Sequence, residues 1–472
     1  MDAALHAYIA QASPHHAAHS KVAVSSSVEA GRGLVATCSY KPGEKVLVVP
    51  PRALLNPVQL TRGRRVSWTP LQAADSRRNA APLSTHQLLA CVLAMWHAQH
   101  QHVSSISPMD AFFLSLPTQF DTTPLTWALD EKASLLDALP PSATHKHRMV
   151  QARYEADWAR VRALDKVTLA SIWSCISFIP EPPPIDEHDF IWGWLCVNSR
   201  CVYMDLHYAK HEDNFTLAPL LDMANHTKHP KKECRVRFSS MDGLELYAPL
   251  EASLQEGEEV CITYGLHDNA TLLTEYGFVL PHHVGEDDLQ KQANHWHGNP
   301  HAGVWLDEAV EYMVQSQGEA GAWKRSLLQQ AGYWGDYTIH PCPAPAHPSH
   351  RLHTALRLLC MDVDFHAQEH GGLHARLSTN PRTQSAYTPQ DAERVWRLVM
   401  QGRREQVSAS NEQSVRDMVI SLCDDITSGH ATRLDNLKGA DNVSASMVRA
   451  LLEEECHIAS LVKASTERAD PW

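Results

Sequence analysis

Two short stretches with the same pattern, far apart in the chain, constrain what it can fold into. Gly43-Glu44-Lys45-Val46 and Gly257-Glu258-Glu259-Val260 each set a turn glycine and charged residues ahead of a β-type run. Lys41-Pro42-Gly43-Glu44 is a turn signal, and 46–49 reads as a buried strand that Pro50-Pro51 stops. Later, 235–240 and 244–247 flank Met241-Asp242-Gly243, whose Asp-Gly pair signals a hairpin, and 259–263 reads as a further strand. Between the two halves the period changes. Leu88, Leu89, Val92, Leu93 and Trp96 recur at helical spacing, with Ser84 or Thr85 placed to cap the start. Residues 190–203, FIWGWLCVNSRCVY, read as a buried helix leading out to a loop. A β unit is thus split by a mostly helical insertion of about 100 residues, at about 84–190.

Beyond the polar, His-rich stretch 281–300, which reads as a boundary, the pattern is helical. Met447, Val448, Leu451, Leu452, Leu461 and Val462 mark one long amphipathic helix, and Glu453 to Glu455 read as its wet face. A Pro- and His-rich loop at 339–350 interrupts the region, and gaps at Asn380-Pro381 and Ser428-Gly429 read as short connections. At 472 residues, two or three packed units are expected. No apolar run is long enough for a membrane helix, and the N-terminus lacks the pattern of a secretory signal. Eleven cysteines without a C-x-x-C pair fit free thiols in a reducing compartment. The net charge of −13 argues against sequence-independent nucleic-acid binding and favours basic partners. His295, His297 and His301 are the densest histidines, but they sit in a polar linker without cysteines or spaced acids, so no metal is expected.

The chemistry-bearing residues gather in 217–280. Asp222, Asn225 and His226 end an apolar segment; Cys261-Ile-Thr-Tyr-Gly265 ends a strand; Asn269-Ala-Thr-Leu-Leu-Thr-Glu-Tyr-Gly-Phe278 follows. Alone, 222–226 reads as a helix cap, Tyr264 as a core aromatic at a strand end, and Tyr276 as a partner of Leu272 and Leu273. Gly31-Arg-Gly33 precedes a strand rather than a helix, so it is a turn and not a phosphate loop. In this order, with the helical insertion between, the set resembles the SET-domain methyltransferases of the plastid Rubisco lysine methyltransferase class. An animal branch of that class is most similar, on residues 192–203, 264–279 and 352–360.

The resemblance implies an α+β fold: a β-rich SET domain over 20–280 with its helical insertion, then an all-helical substrate-binding domain over 301–465. It implies methyl transfer from S-adenosylmethionine to the side-chain amine of a lysine in a protein, with a histidine as the alternative acceptor and a non-catalytic binding scaffold as the rival reading. Tyr264 would be the catalytic tyrosine. Asn225, His226, Asp222 and Arg200 would serve the cofactor, as would Glu44, Lys45 and Val46 through a strand edge. Tyr276, Gly277 and Phe278 would wall the cofactor and lysine channel. Two departures are visible: Asp268-Asn269 stands where the class commonly has Ser-Asn, and Met204 where some relatives have an arginine. The implied partner is a protein, with basic histones and ribosomal proteins compatible. Neither nucleic acid nor membrane is expected, and a monomer in the cytoplasm or nucleus is.

Overall fold

The computed structural model describes residues 2–13, 20–28, 31–62, 83–103, 105–129, 132–208, 210–239, 243–281, 296–365 and 386–470. Met241, Asp242, His295, Asn380-Pro381 and most of the 281–300 boundary lie outside these. The chain forms two compact units: residues 1–121 with 148–266, and residues 122–147 with 267–472.

The first unit contains the strands β1 (Val22–Ser25), β2 (Gly33–Ala36), β3 (Lys45–Val49), β4 (Val202–Tyr203), β5 (Phe215–Thr216), β6 (Asn225–His226), β7 (Arg235–Ser239), β8 (Gly243–Tyr247) and β9 (Cys261–Ile262). They form small sheets. β1 pairs antiparallel with β2, and β3, β8 and β7 form an antiparallel sheet in that order. The hairpin expected around Gly243 is present, with Ser239 opposite Gly243. The second echo stretch runs beside β2: Ala36 N–H donates to Glu258 O at 2.9 Å and Val260 N–H to Leu34 O at 2.8 Å. The two echoing segments are therefore built into one β region, with the insertion looped out between them.

In that insertion the helix Thr85–His100 starts at a Ser84 cap, reciprocated by Gln87, and buries Leu88 through Trp96. It packs on the helix Glu187–Arg200, whose Asp186 cap is reciprocated by Asp189. Gly193 permits the contact. A Cβ there would lie 2.7 Å from Ala90 O and 2.9 Å from Ala94 N, so any larger residue forces the backbones apart.

The second unit is mainly helical. Its principal core gathers Leu352, Leu356, Trp396, Val415, Val419 and Val462, from the helices His350–Leu359, Pro389–Met400, Ala409–Asn436 and Val443–Glu467. A second cluster packs Trp127, Leu139 and Leu273 with Val448 and Leu452. The region is not all-helical: β10 (Val304–Trp305), β11 (Thr338–His340) and β12 (His347–Pro348) form an antiparallel sheet out of the Pro- and His-rich segment.

Two sequence expectations fail here. No connection occurs at Ser428-Gly429, because the helix Ala409–Asn436 runs straight through, with Ser428 Oγ bonded to Asp424 O at 2.6 Å. The run Glu453 to Glu455 is not one wet face either, since Glu454 and Glu455 are buried. Glu454 accepts from Asn269 Nδ2 at 3.0 Å, and Glu455 accepts from Ser142 Oγ and bonds His430 at 2.7 Å. Buried carboxylates held by hydrogen bonds fit inside a helix bundle, and residue type alone does not tell them from solvated ones.

Candidate active site

The site in the first unit is built on two strands of two residues each. β6 runs parallel to β9, with Asn225 opposite Cys261 and His226 opposite Ile262. The segment entering β6 is a 3-10 turn, Leu221–Met223, rather than the cap of a longer helix, and it follows Leu220 at φ +66°. A positive φ at a buried leucine is a strained conformation that only the surrounding packing can hold.

Side chains rather than long ladders lock this pair. Asn225 Nδ2 donates to Glu259 Oε1 at 2.7 Å and to Arg32 O at 3.1 Å, tying β6 to the turn before β2. Gly33 leaves room for that amide, because a Cβ at position 33 would lie 2.5 Å from Asn225 Nδ2. Tyr264 N–H donates to His226 Nδ1 at 3.1 Å, which makes Nδ1 an acceptor and puts the neutral ring's proton on Nε2. The Tyr264 hydroxyl donates to Ala224 O at 3.0 Å, and its ring tilts against His226 at 5.4 Å. The phenol oxygen is thereby oriented, with its lone pairs left for other contacts.

Behind the strand lies a buried charge cluster. At the end of its helix, Arg200 donates through Nη1 to Asp222 O at 2.7 Å and lies 3.4 Å from Asp222 Oδ2. The Asp222 side chain is fully buried. Burial pushes its carboxyl above the usual carboxylate range, while Arg200 and Arg32 pull the other way. Burial and neighbouring Arg200 hold Arg32 below the usual guanidinium range. Arg200 Nε and Asp222 Oδ1 are buried and have no hydrogen-bond partner among the described residues.

The remaining candidates divide. Lys45 opens β3 opposite Tyr247, and its Nζ pairs with the buried Glu245. Glu245 also accepts from Tyr247 Oη at 2.8 Å. The Glu44 carboxylate closes the preceding turn by accepting from Lys41 N–H at 2.9 Å, so this side chain is spent locally and only its main chain follows the strand edge. Val46 is wholly buried in the core. Tyr276, Gly277 and Phe278 fall in the second unit, at the end of a π-helical turn, Leu272–Tyr276. There Tyr276 is half-buried, 5.9 Å from the His267 ring and 6.3 Å edge-on from Phe278. Asp268 caps the turn by accepting from Thr271 N–H at 2.7 Å, so the departure from Ser keeps the capping function.

Arg32, Glu259 and Glu245 were not picked out from sequence. The first two lie in segments that were noted, the Gly-x-Gly turn and the second echo stretch, but their side-chain roles depend on a tertiary approach. Among possible metal ligands, His97, His188 and Asp189 lie together. Asp189 is already committed there, bonding His97 Nδ1 at 2.8 Å and the N–H of Asp186 at 3.3 Å, and it reads as a helix cap.

Residues 31–265 match the SET domain family, and the chain carries a SET domain over that range. It is homologous to SET domain-containing protein 4 of Mus musculus, with 27% identity over 345 residues covering 71% of this chain and 67% of that one. The ribosomal lysine N-methyltransferase set11 of Schizosaccharomyces pombe is 33% identical over 154 residues, 33% of each chain, so that alignment spans only a third of the relative's length. In fold, the chain resembles the structure of Rubisco LSMT bound to AdoMet. The TM-score is 0.60 at 17% identity, over 99% of this chain and 91% of that one. No helix among the described residues is long and apolar enough to cross a membrane.

Proposed function

We propose that the chain is a protein-lysine N-methyltransferase that uses S-adenosylmethionine. The observation that carries the reading is the pinned pair β6–β9, which sets Asn225, His226 and the oriented Tyr264 hydroxyl in one place. The names of set11 and of ribosomal lysine N-methyltransferase 2 from Saccharomyces cerevisiae support it.

The residues fit a small zwitterionic cofactor. The orphaned Arg200 Nε and Asp222 Oδ1 offer a donor and an acceptor, and Gly33 leaves a hollow beside Asn225 that a side chain would fill. We assign cofactor holding to the main chain of Asn225 and His226, to Arg200 with Asp222 behind it, and to the strand edge at Glu44, Lys45 and Val46. Tyr276, Gly277 and Phe278 carry the same assignment from the resemblance. Bound there, S-adenosylmethionine supplies a methyl group activated by a sulfonium.

The acceptor lysine must arrive uncharged. Its pKa of about 10.4 in water falls on desolvation, so a dry aromatic entrance makes the neutral amine available. Tyr264 positions that amine. Its hydroxyl proton is held by Ala224 O, leaving lone pairs to meet positive charge on the reacting groups without a competing anion. The substrate is a protein, and a ribosomal protein or another basic chain such as a histone suits an enzyme of net charge −13. The reading carries with it a monomer at work in the cytoplasm or nucleus.

Thermal melting with S-adenosylmethionine, and separately with its demethylated product, tests the reading. At ligand one hundred times its dissociation constant, linkage adds about 2.7 kcal/mol, and a rise in Tm of several degrees is expected. An unchanged Tm at saturating cofactor would leave only the scaffold reading.

A further inference from the structure

We propose that the second unit holds a docking groove for a Lys- or Arg-bearing segment of a protein. The groove is a cavity of about 390 Å³ along one side of the helix Asp307–Ser316. Its walls are aromatic, with Trp305, Tyr312 and Trp334, and its rim is acidic, with Asp307, Glu308 and Glu311. No lysine or arginine lines it among the described residues. Tyr312 stands 75% exposed at the mouth, an unusual position for a large ring with no partner to cover it.

What such a surface attracts is already visible in the chain. Arg325, from the next helix, lies 4.7 Å over the Trp334 ring and donates to Glu311 Oε1 at 2.7 Å. One of the cavity's aromatic faces and one of its carboxylates thus hold a guanidinium of the molecule itself. Trp305, backed by the stacked ring of His145 at 4.4 Å, and Tyr312 repeat the same elements. Asp307 is fixed by accepting from the N–H groups of Asp336 at 2.9 Å and Tyr337 at 2.7 Å. Those bonds orient its carboxylate without cancelling its charge. Aromatic faces and fixed carboxylates together favour a cation with a long apolar stem, which packs its methylenes on the rings and sets its charge at the rim. A neutral or acidic segment gains neither term.

That the docked segment belongs to the protein being methylated rests on the reading above; the binding itself does not. The probe is a short fluorescein-labelled Lys-rich peptide, compared with its fully acetylated counterpart, with anisotropy read on the full-length protein. The Lys-rich peptide should bind and the acetylated one should not, with affinity falling as salt is raised. Tyr312→Ala, at an exposed position, and Glu308→Gln should each weaken binding, and together by roughly tenfold. The cofactor-induced Tm rise should stay as in the parent protein. With a methylated protein substrate, the double variant should raise KM and leave kcat unchanged. Equal binding of the acetylated peptide, or an unchanged affinity in the double variant, would overturn the groove. A protein that binds the Lys-rich peptide but shows no cofactor shift would keep the groove and lose the methyltransferase reading.

Discussion

The two units of this chain hold their shape by opposite means. In the first, the proposed site rests on strands of two residues, β6 and β9, too short to define a position by main-chain pairing alone. Single polar contacts do that work: Asn225 to Glu259, Tyr264 to His226, Arg200 to Asp222. In the second, long helices close on apolar clusters in which any one residue is one of many. Exact placement comes from a few directional bonds, each costly to lose, whereas bulk stability comes from summed burial that erodes in steps.

The largest effect should come from attacking the bulk. In a chain ending at Pro300, Trp127, Leu139 and Leu273 lose Val448 and Leu452, their partners on the helix Val443–Glu467. Each large apolar side chain returned to water costs about 1.5–3 kcal/mol, so 122–147 and 267–281 should become the first sites of limited proteolysis. Protection there equal to that in the full chain would show that these segments do not depend on the helices.

Next comes the charge cluster. Asp222→Ala leaves Arg200 buried without its carboxylate, and a loss of about 3–5 kcal/mol is expected in urea unfolding. Asp222→Asn keeps the shape and one acceptor, and should cost less. If the two variants were equally stable, the cluster would be a packing feature and the contrast between the units would weaken.

Tyr264→Phe removes one oxygen and keeps the ring. If that hydroxyl positions the reacting groups, turnover falls by about ten- to a thousandfold, or about 1.4–4 kcal/mol of transition-state stabilisation, while cofactor affinity holds. Loss of its bond to Ala224 O costs only about 1 kcal/mol of folding stability. Full turnover in the variant would move the catalytic assignment away from Tyr264.

The same contrast governs what could be read from the amino-acid order. The helices Thr85–His100 and Val443–Glu467 were legible because apolar periodicity and a cap define them locally. The hairpin at Gly243 was legible because turn chemistry is local too. Arg32 was not, since its tie to Asp222 joins residues far apart in sequence that only the β6 approach brings together. Glu454 and Glu455 misled for the same reason: whether a helical acid is wet depends on what lies across from it, here Asn269, Ser142 and His430. Asn225, His226 and Tyr264 were found through their resemblance to a known pattern, because nothing in their periodicity sets them apart.

The smallest effect concerns a polar group inside the bulk unit, where the two regimes meet. Lys324 is buried and donates to Gln317 Oε1 at 2.8 Å, Leu359 O at 2.9 Å and Met361 O at 2.7 Å, gathering carbonyls at the end of the helix His350–Leu359. Burial pushes its ammonium down to about 8, with Cys360 and Asp362 opposing. The unfolded chain keeps the ordinary value of about 10.4. Below pH 8 both states hold the proton and the folded state bears the whole desolvation cost. As pH rises from about 8 towards 10.4, the folded state releases its proton first, the unfolded state binds more, and this residue's contribution to stability increases. Buried cysteines and tyrosines with raised values work in the opposite direction over the same range, so the total is not informative. Lys324→Met isolates the lysine, because all other groups are common to both proteins. The stability of the parent relative to the variant should grow by about 1 kcal/mol between about pH 8 and about pH 9. A flat difference across that range would mean that the three carbonyl oxygens stabilise the ammonium enough to offset its burial. In that case directional bonds, and not apolar packing, would set the behaviour of this residue in the second unit as well.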